Sequence, residues 1–306
     1  LEKAIRFYMN TGDLVSSGEI SSQWDEFFSI EKLLLTHTPF FPLIGNHDEK
    51  SGKAVLYKKN FVLPTNSPNP EEYYSVDYGN AHFIMLDGHV NVDEWYICAL
   101  KGKLYDACFK DKQINWLKAD LKAAAAKSSI DHIFVMLHMG PYSSKAGRTG
   151  YAQMRALMPL FKTHGVTMVI SGHDHYYEHG LSNNGIPYVI TGGGGAPLYE
   201  VGEPSEAPHE VAYNESVEHY LRGDVDGVLM TVSARGIDGR IIDEFEIDTT
   251  PECEADTDCE AGDFAPDCAI WSASCSVGSR CVAVCEEEPT DDPDAGSDAS
   301  PSDAGP

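Results

Sequence analysis

Basic side chains are scarce in this sequence of 306 residues, which has 22 Lys and Arg against 48 Asp and Glu and a formal net charge of −26. Such an acidic surface repels phosphate backbones, so a nucleic acid is not expected as a stable partner. Long apolar runs are absent as well, because no stretch reaches the roughly 18 residues that a transmembrane helix requires. The apolar runs that do occur, such as Ile133–Leu137, have the length of strands. With 42% hydrophobic residues the chain can still form a core, which excludes a wholly disordered protein.

Cysteine is rare in the first 250 residues, where only Cys98 and Cys108 occur. Six more follow within a short acidic segment, namely Cys253, Cys259, Cys268, Cys275, Cys281 and Cys285. An even number of cysteines in such a segment predicts disulfides and an oxidising compartment, and hence a secreted or cell-surface protein. A metal-binding knot is the alternative, but zinc sites favour closer pairs than Cys281 and Cys285, the closest pair here. We also expect a disulfide between Cys98 and Cys108, which would close the insert at residues 88–111.

Strand and helix patterns alternate up to about residue 250, which predicts an α/β domain over residues 1–250. The predicted helices span residues 22–35, 112–127 and 151–164, and the predicted strands span residues 5–9, 40–44, 73–78, 81–87, 133–137, 166–171, 188–191, 227–232 and 241–247. A Cys-rich module follows over residues 251–285. Residues 286–306 consist mainly of Asp, Ala, Ser, Gly and Pro, and we expect a disordered acidic tail there. This tail is a candidate for attachment to a cell surface, with a solvated spacer or a cation-binding segment as the alternatives.

Polar motifs stand at the carboxyl ends of four predicted strands: Gly12-Asp13, Gly45-Asn46-His47-Asp48, His138, and Gly172-His173-Asp174-His175. Ligands of layered α/β folds bind at the carboxyl ends of strands, so the folded chain can bring these motifs together. Asp13 offers a carboxylate that can bridge two cations, and Asn46 offers a carbonyl oxygen. His138, His173 and His175 offer imidazole nitrogens. This mixture of oxygen and nitrogen ligands predicts a pair of transition metal ions such as Zn, Mn, Fe or Co.

The order of these four motifs resembles that of the calcineurin-like metallophosphoesterases, and the resemblance covers about residues 5–247. Three flanking segments, at residues 73–79, 141–144 and 192–197, are similar to the purple-acid-phosphatase-like branch of that superfamily. The resemblance implies a four-layer αββα sandwich with a dinuclear metal site between its central sheets. It also implies two divalent or trivalent metal ions, with Fe, Zn or Mn as the candidates.

The roles of single residues follow from the same resemblance. Asp13 would bridge the metals, and Asn46, His138 and His173 would complete the protein ligands of one of them. His175 would bind the other metal ion. His47 would not be a ligand but a general acid or transition-state donor beside the phosphate, and Asp48 would orient it.

Two departures from the family pattern bear on these expectations. The family opens with an Asp-x-His or Asp-x-Gly motif that supplies the second metal's terminal carboxylate, and no such motif precedes Gly12 here. We therefore expect a chain truncated at its N-terminus. In addition, purple acid phosphatases have a Tyr ligand where this sequence has Ser16. Its absence disfavours an iron–phenolate centre and favours Zn, Mn or Fe(II).

These patterns predict a secreted, metal-dependent phosphoesterase that hydrolyses phosphomonoesters of small molecules through attack by a metal-activated hydroxide, with phosphodiesters left open. The alternative is a non-catalytic surface or binding protein built on a degenerate phosphoesterase fold. Histidines outside the motifs are expected to be structural or exposed. His179 is a candidate for a substrate contact, since the branch has Arg at this position. Tyr142, Ser143 and Ser144 border the pocket or simply form the loop after His138, and the sequence leaves both open.

Overall fold

The computed structural model describes residues 5–50, 54–88, 111–202 and 209–250, and the backbone of two further strands at 271–275 and 281–285. The helices are α1 (Ser21–Leu35), α2 (Val55–Asn60), α3 (Asp111–Ala125), α4 (Ala152–Arg155) and α5 (Met158–Thr163). The strands are β1 (Tyr8–Asn10), β2 (Phe40–Pro42), β3 (Tyr74–Tyr78), β4 (Ala81–Leu86), β5 (His132–Leu137), β6 (Met168–Ser171), β7 (Tyr177–Ser182), β8 (Pro187–Thr191), β9 (His209–Glu215), β10 (His219–Asp226), β11 (Leu229–Gly236), β12 (Ile241–Asp248), β13 (Trp271–Cys275) and β14 (Cys281–Cys285).

A seven-stranded sheet in the order β3-β4-β5-β6-β8-β7-β9 forms the centre of the described domain. Its middle strands β4, β5, β6 and β8 run parallel, and β3, β7 and β9 pair antiparallel towards the edges. Every residue of β4 and β5 is buried, as expected for parallel strands covered on both faces. Because β5 and β6 are parallel neighbours, the segments that follow them emerge at the same edge of the sheet.

Two apolar cores cover the two faces of this sheet. On one face, residues of α3 and α5 such as Leu117, Leu121 and Phe161 pack against Val135 and Leu137 of β5. On the other face, the sheet packs against three smaller groups: the two-stranded β1-β2 sheet, the β10-β11-β12 sheet, and the helices α1 and α2. The expected α/β class, with mixed sheets, is therefore confirmed.

The structure corrects the predicted helix over residues 151–164, which is two short helices, α4 and α5. Pro159 contributes to the break, because it has no N–H to donate to the carbonyl of Arg155 and so fits only in the first turn of a helix, here that of α5. Before residue 250, three strands were not predicted from the sequence: β7, β9 and β10. They pair antiparallel and contain charged residues, and β7 and β10 each contain a glycine, so they lack the apolar run of the central strands.

The cysteine predictions mostly lie outside the described residues. Cys98, Cys108 and residues 286–306 are not among the described residues. Only the antiparallel pair β13-β14 is described after residue 250, and its register places Cys275 opposite Cys281. The disulfides and the domain boundaries at residues 250 and 285 therefore stay predictions. No helix in the described ranges has both the length and the apolar character of a membrane span.

Candidate metal centre

Four chain segments meet at the carboxyl edge of the strands, as the motif positions predict. β1 and β2 pair in parallel, with Asn10 opposite Pro42, so Asp13 and Gly45 each follow a strand end by three residues. Gly45 allows the two segments to touch, because a Cβ atom there would lie 2.1 Å from Oδ1 of Asp13. His138 follows β5 directly, and the turn at residues 172–175 follows β6.

Asp13, Asn46, His138 and His173 come together at this edge, and we call them the strand-end cluster. Nε2 of His138 lies 3.0 Å from Oδ1 of Asn46 and 3.1 Å from Oδ2 of Asp13. Nδ1 of His173 lies 3.0 Å from the same Asn46 oxygen and 3.1 Å from Nε2 of His138. The structure therefore gathers four of the five predicted ligands.

The hydrogen bonds around the cluster turn its lone pairs inward. Nδ1 of His138 lies 2.7 Å from the carbonyl oxygen of Thr11. A carbonyl only accepts, so Nδ1 carries a proton, and the neutral form of the ring directs the lone pair of Nε2 into the cluster. There it faces the oxygens of Asp13 and Asn46. Either a proton on Nε2 or a metal ion satisfies these contacts, and ligand bonds of roughly 2.0–2.2 Å suit such spacings. The donor set of the cluster fits a transition metal ion.

The pKa shifts show how strongly these groups interact. Burial raises the pKa of Asp13, but its hydrogen bond to His138 and the positive charge there outweigh burial and set the pKa below the usual range. For His138, burial lowers the pKa and the Asp13 carboxylate raises it, with a net shift upward. Burial, with the neighbouring charges of His138 and Arg148, lowers the pKa of His173 to about 3. Asp13 and His173 are thus in the forms that bind metals, whereas His138 has to release its Nε2 proton to bind one.

Two residues of the cluster have left-handed backbone. Asp13 has φ of 59° and His173 has φ of 66°. This conformation costs a residue other than glycine about 1–2 kcal/mol, and such strain gathers at functional sites. The rest of the fold therefore maintains an unfavourable backbone at two adjacent ligand positions.

His175, the fifth predicted ligand, lies apart from the cluster. Its Nδ1 donates to the carbonyl oxygen of Pro197 at 2.8 Å, and its ring stacks on that of Tyr199 with 4.1 Å between the centroids. The Pro197 carbonyl therefore fixes the proton on Nδ1 and leaves a lone pair on Nε2. The structure does not bring this nitrogen into the group formed by Asp13, His138 and His173.

The arrangement of His47 and Asp48 differs from the expectation. The His47 ring donates from Nδ1 to the carbonyl oxygen of Ser16 at 2.8 Å, so Ser16 orients it and not Asp48. Asp48 is fully buried and instead accepts backbone N–H groups of Asp13 at 2.8 Å, Gly45 at 2.9 Å and Val15 at 3.3 Å. Burial raises its pKa to about 7, against the opposing effect of the Gly45 N–H. Asp48 thus ties the Asp13 and Gly45 segments together.

Two further sequence predictions concern His179 and the loop after His138. His179 stacks on Phe245 at 3.6 Å, with Nδ1 3.1 Å from an oxygen of Asp243, so its ring packs against β12 and not in the strand-end cluster. Tyr142, Ser143 and Ser144 are almost completely buried and form the inner part of the loop after His138.

Sequence reasoning missed the residues that surround the cluster. Tyr151 places its hydroxyl 2.9 Å from Nε2 of His173, and Arg148 pairs with the buried carboxylate of Asp174. Both lie in the loop between β5 and α4. Their short separation from His138 in the chain was the only available signal, because neither belongs to a motif.

Comparison with known proteins gives a family match over the residues that contain the site. The family model for calcineurin-like phosphoesterases matches residues 2–177. Purple acid phosphatase 18 of Arabidopsis thaliana is 27% identical over 176 residues, which are 55% of this chain and 37% of that protein. Human tartrate-resistant acid phosphatase type 5 is 26% identical over 198 residues, 61% of this chain and 58% of that protein. The chain thus spans less than two thirds of these relatives.

The solved structures add a likeness of fold. Purple acid phosphatase PPD1 from yellow lupin seeds superposes with a TM-score of 0.66 at 21% identity. The superposition covers 80% of this chain and 46% of the lupin chain.

Proposed function

This chain belongs to the calcineurin-like phosphoesterase family, and from that premise we propose that it is a secreted or cell-surface phosphoesterase that hydrolyses phosphomonoesters of small molecules. The supporting observation is the strand-end cluster, in which four possible ligand atoms of Asp13, Asn46, His138 and His173 lie 3.0–3.1 Å from their neighbours. Phosphodiesters stay open as further substrates. The complete four-layer sandwich, the Cys-rich module and surface attachment through the tail are part of the same proposal.

The predicted ligands divide between two metal ions. Asn46, His138 and His173 would hold one ion with Asp13, and Asp13 would bridge to a second ion held by His175. Zn, Mn and Fe(II) fit this set better than a phenolate-bound iron, because Ser16 stands at the position of the family's Tyr ligand. When bound, such a pair supplies Lewis-acid polarisation of the phosphoryl group and a nucleophile of lowered pKa.

The side chains of the protein have three tasks in this proposal. His47 has Nδ1 fixed on the Ser16 carbonyl, so the imidazolium form can donate a proton from Nε2 to the departing oxygen. Thr11 and Pro197 hold the rings of His138 and His175 through their Nδ1 protons. Asp48 keeps the two segments that carry Asp13 and Asn46 in register.

A non-catalytic binding protein on the same fold is the second candidate. One observation favours it: His175 lies apart from the strand-end cluster, with its ring held by Pro197 and Tyr199. A chain that binds one metal ion tightly and a second one poorly would have the fold and the first site without the complete reaction centre. The number of tightly bound metal ions per chain distinguishes the two candidates.

The experiment is hydrolysis of p-nitrophenyl phosphate before chelation, after chelation, and after addition of Mn, Zn or Fe(II). We expect chelation to abolish turnover and added metal to restore it. His138→Gln should prevent restoration, and His132→Gln is the matched control, since His132 is a buried histidine at the other end of β5 that bonds to the Gly227 carbonyl. Undiminished turnover after exhaustive chelation would refute the proposal, and metal binding without turnover would favour the second candidate.

A further inference from the structure

The histidines around the candidate site differ in the partner of the nitrogen that faces away from it. For His47, His138 and His175 that nitrogen is Nδ1, and its partner is a backbone carbonyl: Ser16, Thr11 and Pro197 respectively. A carbonyl oxygen accepts and never donates, so it dictates which ring nitrogen carries the proton.

His173 is the exception in this set. It turns Nδ1 towards the cluster, and its outer nitrogen Nε2 lies 2.9 Å from the hydroxyl of Tyr151. A phenol can donate or accept. It is therefore compatible with either tautomer of His173, whereas the carbonyl partners of the other histidines permit only one.

We infer that Tyr151 is a positioning residue for His173, whose hydroxyl accepts the Nε2 proton and so leaves the lone pair of Nδ1 free for a metal ion. This inference rests on the proposed metal site. Tyr151 would touch neither the substrate nor the metal ion, and it would act only through the ring of His173.

The backbone around Tyr151 is built to hold its hydroxyl in place. Gly150, with φ of 77°, precedes it, and a Cβ atom at that position would lie 2.3 Å from the carbonyl oxygen of Pro141. The N–H of Tyr151 donates to the carbonyl of Gly140 at 3.0 Å, and its own carbonyl accepts the first backbone hydrogen bonds of α4. The phenol ring also packs edge-to-face on the His173 ring, with 5.7 Å between centroids and 69° between planes.

The same loop holds the residue next to His173. Arg148 donates to the carboxylate of Asp174, which is buried. Residues 148–151 thus contact two successive side chains of the turn after β6. That turn contains the left-handed backbone of His173, a conformation that persists only where surrounding contacts hold it.

Zn²⁺ titration of the whole 306-residue chain tests the inference. Loss of a hydrogen-bond partner behind a metal-binding histidine typically lowers affinity about 10–100-fold, and we expect Tyr151→Phe to weaken Zn²⁺ binding to that extent. Tyr188→Phe is the matched control, because it also removes a buried hydroxyl, bonded to Glu178 at 2.8 Å, without a contact to the cluster. We expect its Zn²⁺ affinity to equal that of the wild type.

A second measurement does not depend on how the variant folds. Long-range ¹⁵N–¹H NMR spectra of the Zn²⁺-loaded wild-type protein report which nitrogen of His173 carries the proton, and we expect Nε2. A proton-free Nε2, or equal affinities of the wild type and Tyr151→Phe, would overturn this inference alone. Failure of the wild type to bind Zn²⁺ would overturn the proposed function and this inference with it.

Discussion

Two groups of histidine and carboxylate side chains lie at opposite ends of the seven-stranded sheet, and they differ in how their polar atoms are matched. At the amino end, His82 of β4 lies between two carboxylates, with Nδ1 2.5 Å from Asp77 and Nε2 2.9 Å from Asp120. We call these three residues the His82 clamp. At the carboxyl end, the strand-end cluster brings two imidazole nitrogens within 3.1 Å of each other, with oxygens of Asn46 and Asp13 at 3.0–3.1 Å.

The difference separates a structural ion network from a metal site. In the His82 clamp both ring nitrogens donate to carboxylates, and Lys127 lies 2.7 Å from the second oxygen of Asp77. Burial lowers the pKa of His82, but the hydrogen bonds to Asp120 and Asp77 outweigh it and raise the pKa above its usual range. The polar atoms of the His82 clamp therefore have hydrogen-bond partners without a metal ion. The strand-end cluster, by contrast, has strained backbone and a mixture of imidazole, carboxylate and amide ligand atoms that suits a transition metal ion.

The largest predicted effect is on the rate of hydrolysis, and it comes from replacing His47, which is not part of the strand-end cluster. Because a positioned proton donor contributes roughly 10²–10⁴-fold in rate, His47→Gln should lower kcat within that range for phosphomonoesters with poor leaving groups. The loss should be smallest for p-nitrophenyl phosphate, whose good leaving group needs less protonation. Metal content, measured on the same samples, should stay unchanged. A His47→Gln protein that loses a metal ion would make His47 a ligand and enlarge the cluster.

Asp48 should affect stability more than any residue of the His82 clamp. Its carboxylate accepts three backbone N–H groups, whereas the amide of Asp48→Asn would point an N–H₂ group at one of these donors. We expect a loss of about 2–3 kcal/mol in the free energy of unfolding, measured by urea denaturation. Asp238→Asn, at an exposed turn, is the control. A loss as small as that of the control would mean that Asp48 does not tie the two segments together.

The His82 clamp should stabilise the fold in a pH-dependent way without affecting metal binding. The folded pKa of His82 is raised, so its contribution is complete below the ordinary histidine pKa of about 6.5 and is lost as the pH rises through the folded value. His82→Gln should therefore cost about 1–2 kcal/mol at pH 5.5 and less at pH 9. Urea denaturation at both pH values measures this, and a cost that grows with pH would contradict it.

Replacing Lys127 should have the smallest effect on the free energy of unfolding. It pairs with Asp77 at 2.7 Å, but both side chains are about half exposed, at 49% and 43%. Exposed pairs contribute little, so Lys127→Ala should change the free energy of unfolding by less than about 0.5 kcal/mol. A larger change would place Lys127 within the His82 clamp as a functional member.

Much of the fold and the strand-end cluster could be predicted from the sequence, because their signals are local. The continuous apolar run of β5 predicts a buried strand, and the polar residue directly after it, His138, is thereby placed at a sheet edge. The same holds for Asp13, Asn46 and His173. The mixed sheet could not be predicted completely, since charged residues interrupt the apolar residues of its strands β7 and β9, and β7 contains a glycine.

The partners of these residues could not be predicted, because they come from distant segments or from backbone atoms. Thr11 holds His138 through a carbonyl that any residue would offer, and Pro197 holds His175 in the same way. The orientation of His47 was assigned to its neighbour Asp48, but the packing of the Ser16 carbonyl decides it. The His82 clamp joins β3, β4 and α3, and only strand register and helix packing bring Asp77 and Asp120 to the same ring.

Isothermal titration of Zn²⁺ into the wild type, His138→Gln and His82→Gln tests most directly whether the strand-end cluster is a metal site and the His82 clamp is not. The account predicts that His138→Gln weakens Zn²⁺ binding by about 100-fold or more, because it removes a ligand and not only a partner behind one. His82→Gln should bind Zn²⁺ with wild-type affinity while unfolding at lower urea. Equal Zn²⁺ affinities of the wild type and His138→Gln, or an equal loss in both variants, would contradict the account.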